Sequence, residues 1–252
     1  MNSFFSADFS GEPFVMFSTL HIITLLVLAL LNAILLTSLK RINSRRVNNY
    51  SRRILAGILM AFELLYEAWS LLAGVWSPKY HLPLQLCDLS LILSSVMLLN
   101  RSYFIYEVTF FLGLGGAAQA LLTPGLAPYS FPHMMYFIFF TTHGGIVTAV
   151  LYMTLIEGYR PQLNSMIKAF VFCNIYMAFI AVVNSITGGN YLFICAKPGT
   201  ASLLDFLSPW PWYVAELEAL GVIIFFILYL PFLLKDMAGS RSTAFPYKSV
   251  GK

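Results

Sequence analysis

Apolar runs about the length of a membrane crossing recur along the whole chain, separated by short polar stretches; IITLLVLALLNAILL near the start is typical. A hydrocarbon core of about 30 Å takes roughly 20 mostly apolar helical residues to cross. The pattern therefore predicts seven helices, over residues 14–38, 54–76, 82–99, 104–122, 133–156, 165–187 and 211–234. The third is short and carries Pro83, Gln85, Cys87 and Asp88 in its first turns, so its start is the least sharply marked. Barrel strands would alternate apolar and polar residues, which these runs do not. The expected fold class is all-α, a polytopic membrane helical bundle forming a single domain over residues 1–252, without internal repeats.

Composition agrees, with 59% hydrophobic and 10% charged residues. The segment MNSFFSADFSGEP contains no Lys or Arg, and the apolar run behind it is too long for a secretory signal, so the first span is expected to be retained. The placement of charge matters more than its net value of +4. Lys40, Arg41, Arg45, Arg46, Arg52 and Arg53 fill the first connection; Arg101, Arg160 and Lys168 mark the third and fifth; Lys235, Arg241, Lys248 and Lys252 follow the last span. The opposite loops hold only Lys79 and Lys197. Because cytoplasmic loops collect Lys and Arg, the expectation is a multi-pass protein of the cell membrane with its N-terminus outside and residues 235–252 as a cytoplasmic tail. Topology accounts for these basic residues, so they give no support to nucleic-acid binding. Two of the three cysteines, Cys87, Cys173 and Cys195, fall within predicted spans, which argues against a disulfide framework.

Between the sixth and seventh spans, residues 188–210 contain Tyr191, Phe193, Leu203, Leu204 and Phe206 and run into Pro209 to Trp212, too apolar for a solvated linker. This extracytoplasmic segment is expected to fold back over the bundle, as a lid or re-entrant hairpin or as an interfacial anchor.

With topology assumed, a rise of about 1.5 Å per residue converts position into depth. Polar residues then converge on the outer half: Glu67, Cys87, Asp88, Gln119, Asn184 and Glu216 near outer helix ends, and His143 roughly 15 Å below the outer start of its span. The inner half offers Asn32, Glu107 and Asn174, a thinner set suited to hydrogen bonds between helices. Glu63, Glu67 and Ser70 share one helix face, and Cys87, Ser90 and Ser94 share another, so both stripes are expected to face the interior. A carboxylate at depth needs a partner, which makes a polar cavity opening outward the expected setting for Glu67 and Asp88.

A thiol beside an imidazole is a nucleophile in waiting, since the base takes the proton and the thiolate attacks an acyl carbonyl. Cys87 and His143 are the Cys and His at similar depth on facing spans, with Asp88 or Glu67 placed to orient the imidazole. Gly144 and Gly145 allow either a substrate or a second helix to come close. A metal centre would need several deep His ligands, and only His143 is deep, so neither metal nor cofactor is expected. The competing class is a non-catalytic transporter or lipid-binding protein whose outer cavity uses Glu67, Asp88 and Glu216 for protons or cations.

Four stretches carry a family resemblance: HLPLQLCDLSLIL (81–93), GGAAQALLTP (115–124), FPHMMYFIFFTTHGG (131–145) and NSITGGNYLFICAKPGTASLLDFLSPWPWY (184–213). Together they resemble the YwaF-type bacterial integral membrane proteins, whose animal relative is transmembrane protein 164. The animal branch resembles an acyltransferase that moves fatty acyl chains between phospholipids. The resemblance implies Cys87 as nucleophile, His143 as general base, and membrane phospholipids and lysolipids as partners. Asp88 belongs to the bacterial form of the motif, and Asn190, Lys197 and Asp205 in the following loop would place headgroups.

Overall fold

The computed structural model describes residues 4–199 and 203–238. Residues 200–202 of the expected outer loop and 239–252 of the expected tail lie outside them. Seven α-helices and two short 3-10 turns, with no strand among the described residues, form the fold. The helices are α1 (Thr19–Ile42), α2 (Arg45–Leu72), α3 (Leu86–Asn100), α4 (Tyr103–Leu122), α5 (Met134–Leu155), α6 (Leu163–Thr187) and α7 (Trp212–Met237). The turns are Tyr191–Phe193 and Leu203–Phe206.

Two helix boundaries are corrected. All seven expected helices are present, and six of them are long and apolar enough to cross a membrane. With 15 residues, α3 reaches only about 22 Å at the helical rise. Pro83, which has no N–H to give, sits in the irregular stretch ahead of it, and residues 82–85 stay out of the helix. The other correction is at α2, which starts nine residues before the predicted 54, because the Ser44 hydroxyl caps Val47 N (3.5 Å) and draws Arg45 to Arg53 into the helix.

Successive helices run antiparallel, with α3, at 15 residues, the shortest of the seven. Arg52, early in α2, donates to Leu98 O and to Leu99 O (2.9 Å) at the end of α3. Arg160 donates to Phe232 O (3.1 Å) near the end of α7. These contacts define a basic end of the bundle; the segments 73–85, 123–133 and 188–211 gather at the other, the loop end.

In lipid, apolar surface gives helices little reason to prefer each other over the solvent, so association depends on close packing and polar bonds. Both are present. Helices α4 and α5 are the most buried, while α1, α6 and α7 turn mostly outward. A Cβ on Gly145 would lie 2.6 Å from Leu59 Cδ2, so this glycine sets the approach of α5 to α2. Across α4 and α6, the buried Glu107 accepts from Lys168 Nζ (2.8 and 2.7 Å) and from Ser165 Oγ (2.6 Å). Asn32 bridges α1 to α5 by accepting from Thr148 Oγ1 (2.7 Å), whereas Asn174 bonds within its own helix to Phe170 O.

At the loop end four successive carbonyls of the N-terminal segment are captured by the bundle. Phe4 O accepts from Met134 N (3.0 Å), Phe5 O from Trp69 Nε1 (3.0 Å), Ser6 O from His133 Nε2 (3.0 Å) and Ala7 O from Tyr129 Oη (3.1 Å). His133 can donate to Ser6 and also accept from Met135 N only as the neutral Nε2–H tautomer. Its burial holds its pKa below the ordinary 6.5, so the folded state favours the neutral ring. The stabilisation is complete above pH 6.5 and is lost as pH falls from there through the lower pKa of the folded state, because the unfolded chain binds the proton more readily. Hydrogen exchange over residues 4–7 should accelerate as pH drops from about 7 to about 5, after correction for intrinsic exchange. A His133→Gln variant should lack that acceleration; an identical acid response in both proteins would refute the assignment.

Candidate functional site

The segment leading into α3 passes below the loop end as irregular backbone, and side chains from other elements satisfy its polar groups, as membrane depth requires. Tyr191 Oη donates to Pro78 O (2.7 Å) and accepts from Leu82 N (2.9 Å), and Tyr176 Oη donates to Leu84 O (2.9 Å). Gln85 Oε1 accepts from Leu192 N (3.0 Å). Asn184 then fastens Tyr191 by two bonds, Nδ2 to Tyr191 O (3.0 Å) and Tyr191 N to Oδ1 (2.8 Å). The turn at 190–193 thus sits directly over the start of α3, where the φ of +67° at Gly188 lets α6 end and the chain reverse.

Asp88 has a local task. Its Oδ2 accepts from Gln85 N (2.9 Å), fixing the first turn of α3 with Gln85 as N-cap and Cys87 at the second helical position. Glu67 Oε2 accepts from Trp76 Nε1 (2.8 Å), while Oε1 is buried without a partner. Glu63, Glu67 and Asp88 lie within electrostatic reach of one another and form an acidic wall between α2 and α3. Neither Asp88 nor Glu67 hydrogen-bonds to His143, so the expected carboxylate–imidazole pairing is replaced by something else.

The replacement is backbone. His143 Nδ1 lies 2.8 Å from Phe139 O, and its ring stacks on Phe139 with centroids 4.1 Å apart. A carbonyl only accepts, so Nδ1 carries the proton and Nε2 keeps its lone pair. Thr142 Oγ1 stands 3.4 Å from the same Nδ1 and donates to Ile138 O and Phe139 O. His143 is buried and Cys87 half-buried.

A packing junction relates the two residues. A Cβ on Gly113 of α4 would meet Ile146 Cγ2 of α5 at 3.2 Å and Ser90 Cβ of α3 at 3.7 Å. His143 is three residues before Ile146, and Cys87 three before Ser90, so each sits one turn nearer the loop end on parallel helices. They share a level of the bundle but form no hydrogen bond with each other. Beneath them the buried hydroxyls of Ser90, Ser94 and Thr109 have no partners, while Ser70 and Glu63 are buried on the α2 side.

Asn190, Lys197 and Glu216 make hydrogen bonds within the outer loop and to the start of α7. Asn190 Oδ1 accepts from Cys195 N (3.0 Å) and Ala196 N (3.1 Å). Glu216 accepts from Ser208 N (2.8 Å) and Ser208 Oγ, and Lys197 Nζ donates to Leu207 O (2.6 Å), closing the second turn onto α7. Asp205 lies in that turn. Gln119 is half-buried near the end of α4, where its carbonyl accepts from Thr123 N (2.9 Å). No group of three or more His, Cys, Asp or Glu among the described residues is arranged to hold a metal. His21 and His81, like His133, are each engaged by backbone groups. Sequence reading does not assign Tyr176 or Tyr191 to the site; the NYLF of 190–193 is the nearest signal for Tyr191, and Tyr176 has none.

Fold and site together define a multi-pass helical membrane protein with a cysteine and an imidazole at one level of a lipid-embedded bundle. The TMEM164 family model matches residues 16–229, and the chain belongs to that family. No curated protein and no solved structure matches it.

Proposed function

We propose that the protein is a lipid acyltransferase of the cell membrane, moving a fatty acyl group from a donor phospholipid to a lysolipid through a thioester on Cys87. The observation that carries this reading is the tautomer of His143, whose Phe139 bond leaves Nε2 as a base at the level of Cys87. His143 Nε2 takes the Cys87 proton, and the thiolate adds to the donor ester carbonyl. The first-turn N–H groups of α3 lack helical partners and suit the resulting oxyanion. Collapse breaks the C–O bond, and the leaving lysolipid alkoxide takes the proton from the imidazolium. In the second half a lysolipid hydroxyl gives its proton to His143 and attacks the thioester, restoring the Cys87 thiol. Exclusion of water by the buried site favours transfer over hydrolysis.

By the distribution of Lys and Arg, the basic end faces the cytoplasm and the site belongs to the outer leaflet. The second reading is non-catalytic: a transporter or lipid-binding protein in which Glu63, Glu67 and Asp88, with Glu67 Oε1 unpartnered, handle protons or cations.

The test is a search for the intermediate. Protein in phospholipid nanodiscs is quenched in acid and its intact mass measured. An adduct with the mass of one fatty acid less water, on Cys87 and released by neutral hydroxylamine, is expected. Its absence while Cys87 still reacts with a small alkylating reagent would favour the non-catalytic reading.

A further inference from the structure

A groove of about 410 Å³ runs between α1 and α5, with Leu28, Ala29, Asn32 and Ala33 on one wall and Gly144 and Val147 on the other. Leu28 packs against Gly144, where a Cβ would lie 3.1 Å from Leu28 Cδ2, and the small exposed Ala29 and Ala33 leave the α1 side low beside that contact. On α1 it runs from Leu25 to Leu36, about 16 Å at the helical rise and centred on the middle of the helix. Its volume lies within the ~300–1,000 Å³ of ligand pockets.

We infer that this groove seats one hydrocarbon chain of a membrane phospholipid. Its flank on α1 is lined by exposed Leu26, Val27, Leu30 and Leu31, so the medium it opens to is lipid. A partner helix does not fit. Helix α1 is tied directly to α5 by Thr24 Oγ1 with Tyr136 Oη (2.5 Å) and by Thr148 Oγ1 to Asn32 Oδ1 (2.7 Å). Packed helices need about 8–10 Å between axes, which these two bridges deny to an inserted third helix. A thin, flexible chain is what passes.

Two residues of the groove's α5 wall are neighbours of His143 along the helix. Gly144 follows His143 in sequence and Val147 is one turn below it, so a chain lying there brings its carboxyl end toward the imidazole. That last step rests on the acyl-transfer reading; the seat does not.

The test uses nanodiscs of phosphatidylcholine doped with the same lipid carrying a diazirine within one acyl chain. After illumination, adducts are mapped by peptide mass spectrometry in the wild type, in Cys87→Ser and in Ala29→Trp/Ala33→Trp. Both alanines are exposed, so tryptophan fills the groove without displacing packed neighbours. Adducts should concentrate on the facing residues of 25–36 and 144–151, persist in Cys87→Ser, and fall about tenfold in the tryptophan variant, the factor equal to about 1.4 kcal/mol. Labels spread evenly over the outward residues of α1, or unchanged by the tryptophans, would overturn the proposal. Groove labelling without a Cys87 thioester would remove the catalytic reading and leave the chain site standing; a thioester without groove labelling would do the reverse.

Discussion

Cys87→Ser and His143→Ala should each reduce acyl transfer to a lysolipid by about 10²–10⁴-fold, the range over which a positioned proton acceptor acts. The two losses should not add. A thiol without its base and a base without its thiol fail at the same step, so the double variant should be about as inactive as the worse single one. The serine variant keeps shape while replacing a good nucleophile with a hydroxyl that the imidazole deprotonates poorly. Phosphatidylcholine with a labelled acyl chain, a lysolipid acceptor and chromatographic readout would measure all three. Asp88→Asn separates the roles of the neighbours. Its amide oxygen still accepts from Gln85 N, so the start of α3 should survive, and transfer should change far less than with Cys87→Ser. Additive losses, or wild-type rates in His143→Ala, would refute the Cys–His assignment.

The second large effect is structural. Lys168→Met should destabilise the bundle by about 3 kcal/mol, because it leaves the buried Glu107 carboxylate with Ser165 as its remaining partner. Adding Glu107→Gln should recover most of that loss, since an amide carries no charge to strand. Unfolding in mild detergent would show it as a drop in midpoint for the single variant and recovery in the double. If the single variant unfolds with the wild type, Glu107 and Lys168 do not hold α4 to α6.

Much of the plan of this protein lies open in its sequence. Apolar length alone marks the helices, since lipid imposes one condition on every residue of a span and leaves a uniform run. The exceptions are instructive. Helix α2 begins early because a single hydroxyl, Ser44, outweighs a stretch of charge, and α3 begins late because Pro83 precedes it. Depth read from position also gathers Cys87, His143, Glu67 and Asp88 in one half of the bundle, with His143 the deepest.

The partners are another matter. Sequence makes Asp88 and Glu67 the natural groups to orient His143, but Asp88 turns to Gln85 N and Glu67 to Trp76, both within nine residues of their own positions. A backbone carbonyl, Phe139 O, does the orienting, and no residue type announces a carbonyl. The capture of four successive N-terminal carbonyls and the support of the 78–85 segment by Tyr176 and Tyr191 are equally silent. They depend on groups far apart in the chain meeting at hydrogen-bond distance.

By itself, then, the sequence determined that this is a multi-pass helical membrane protein of the TMEM164 family, because hydropathy and family motifs are properties of the chain read in order. Only the tertiary structure decided which ring nitrogen of His143 is free, that Asp88 is a cap, and that small residues open a groove between α1 and α5. Each of those is a relation between atoms within a few ångströms, and folding alone brings them there.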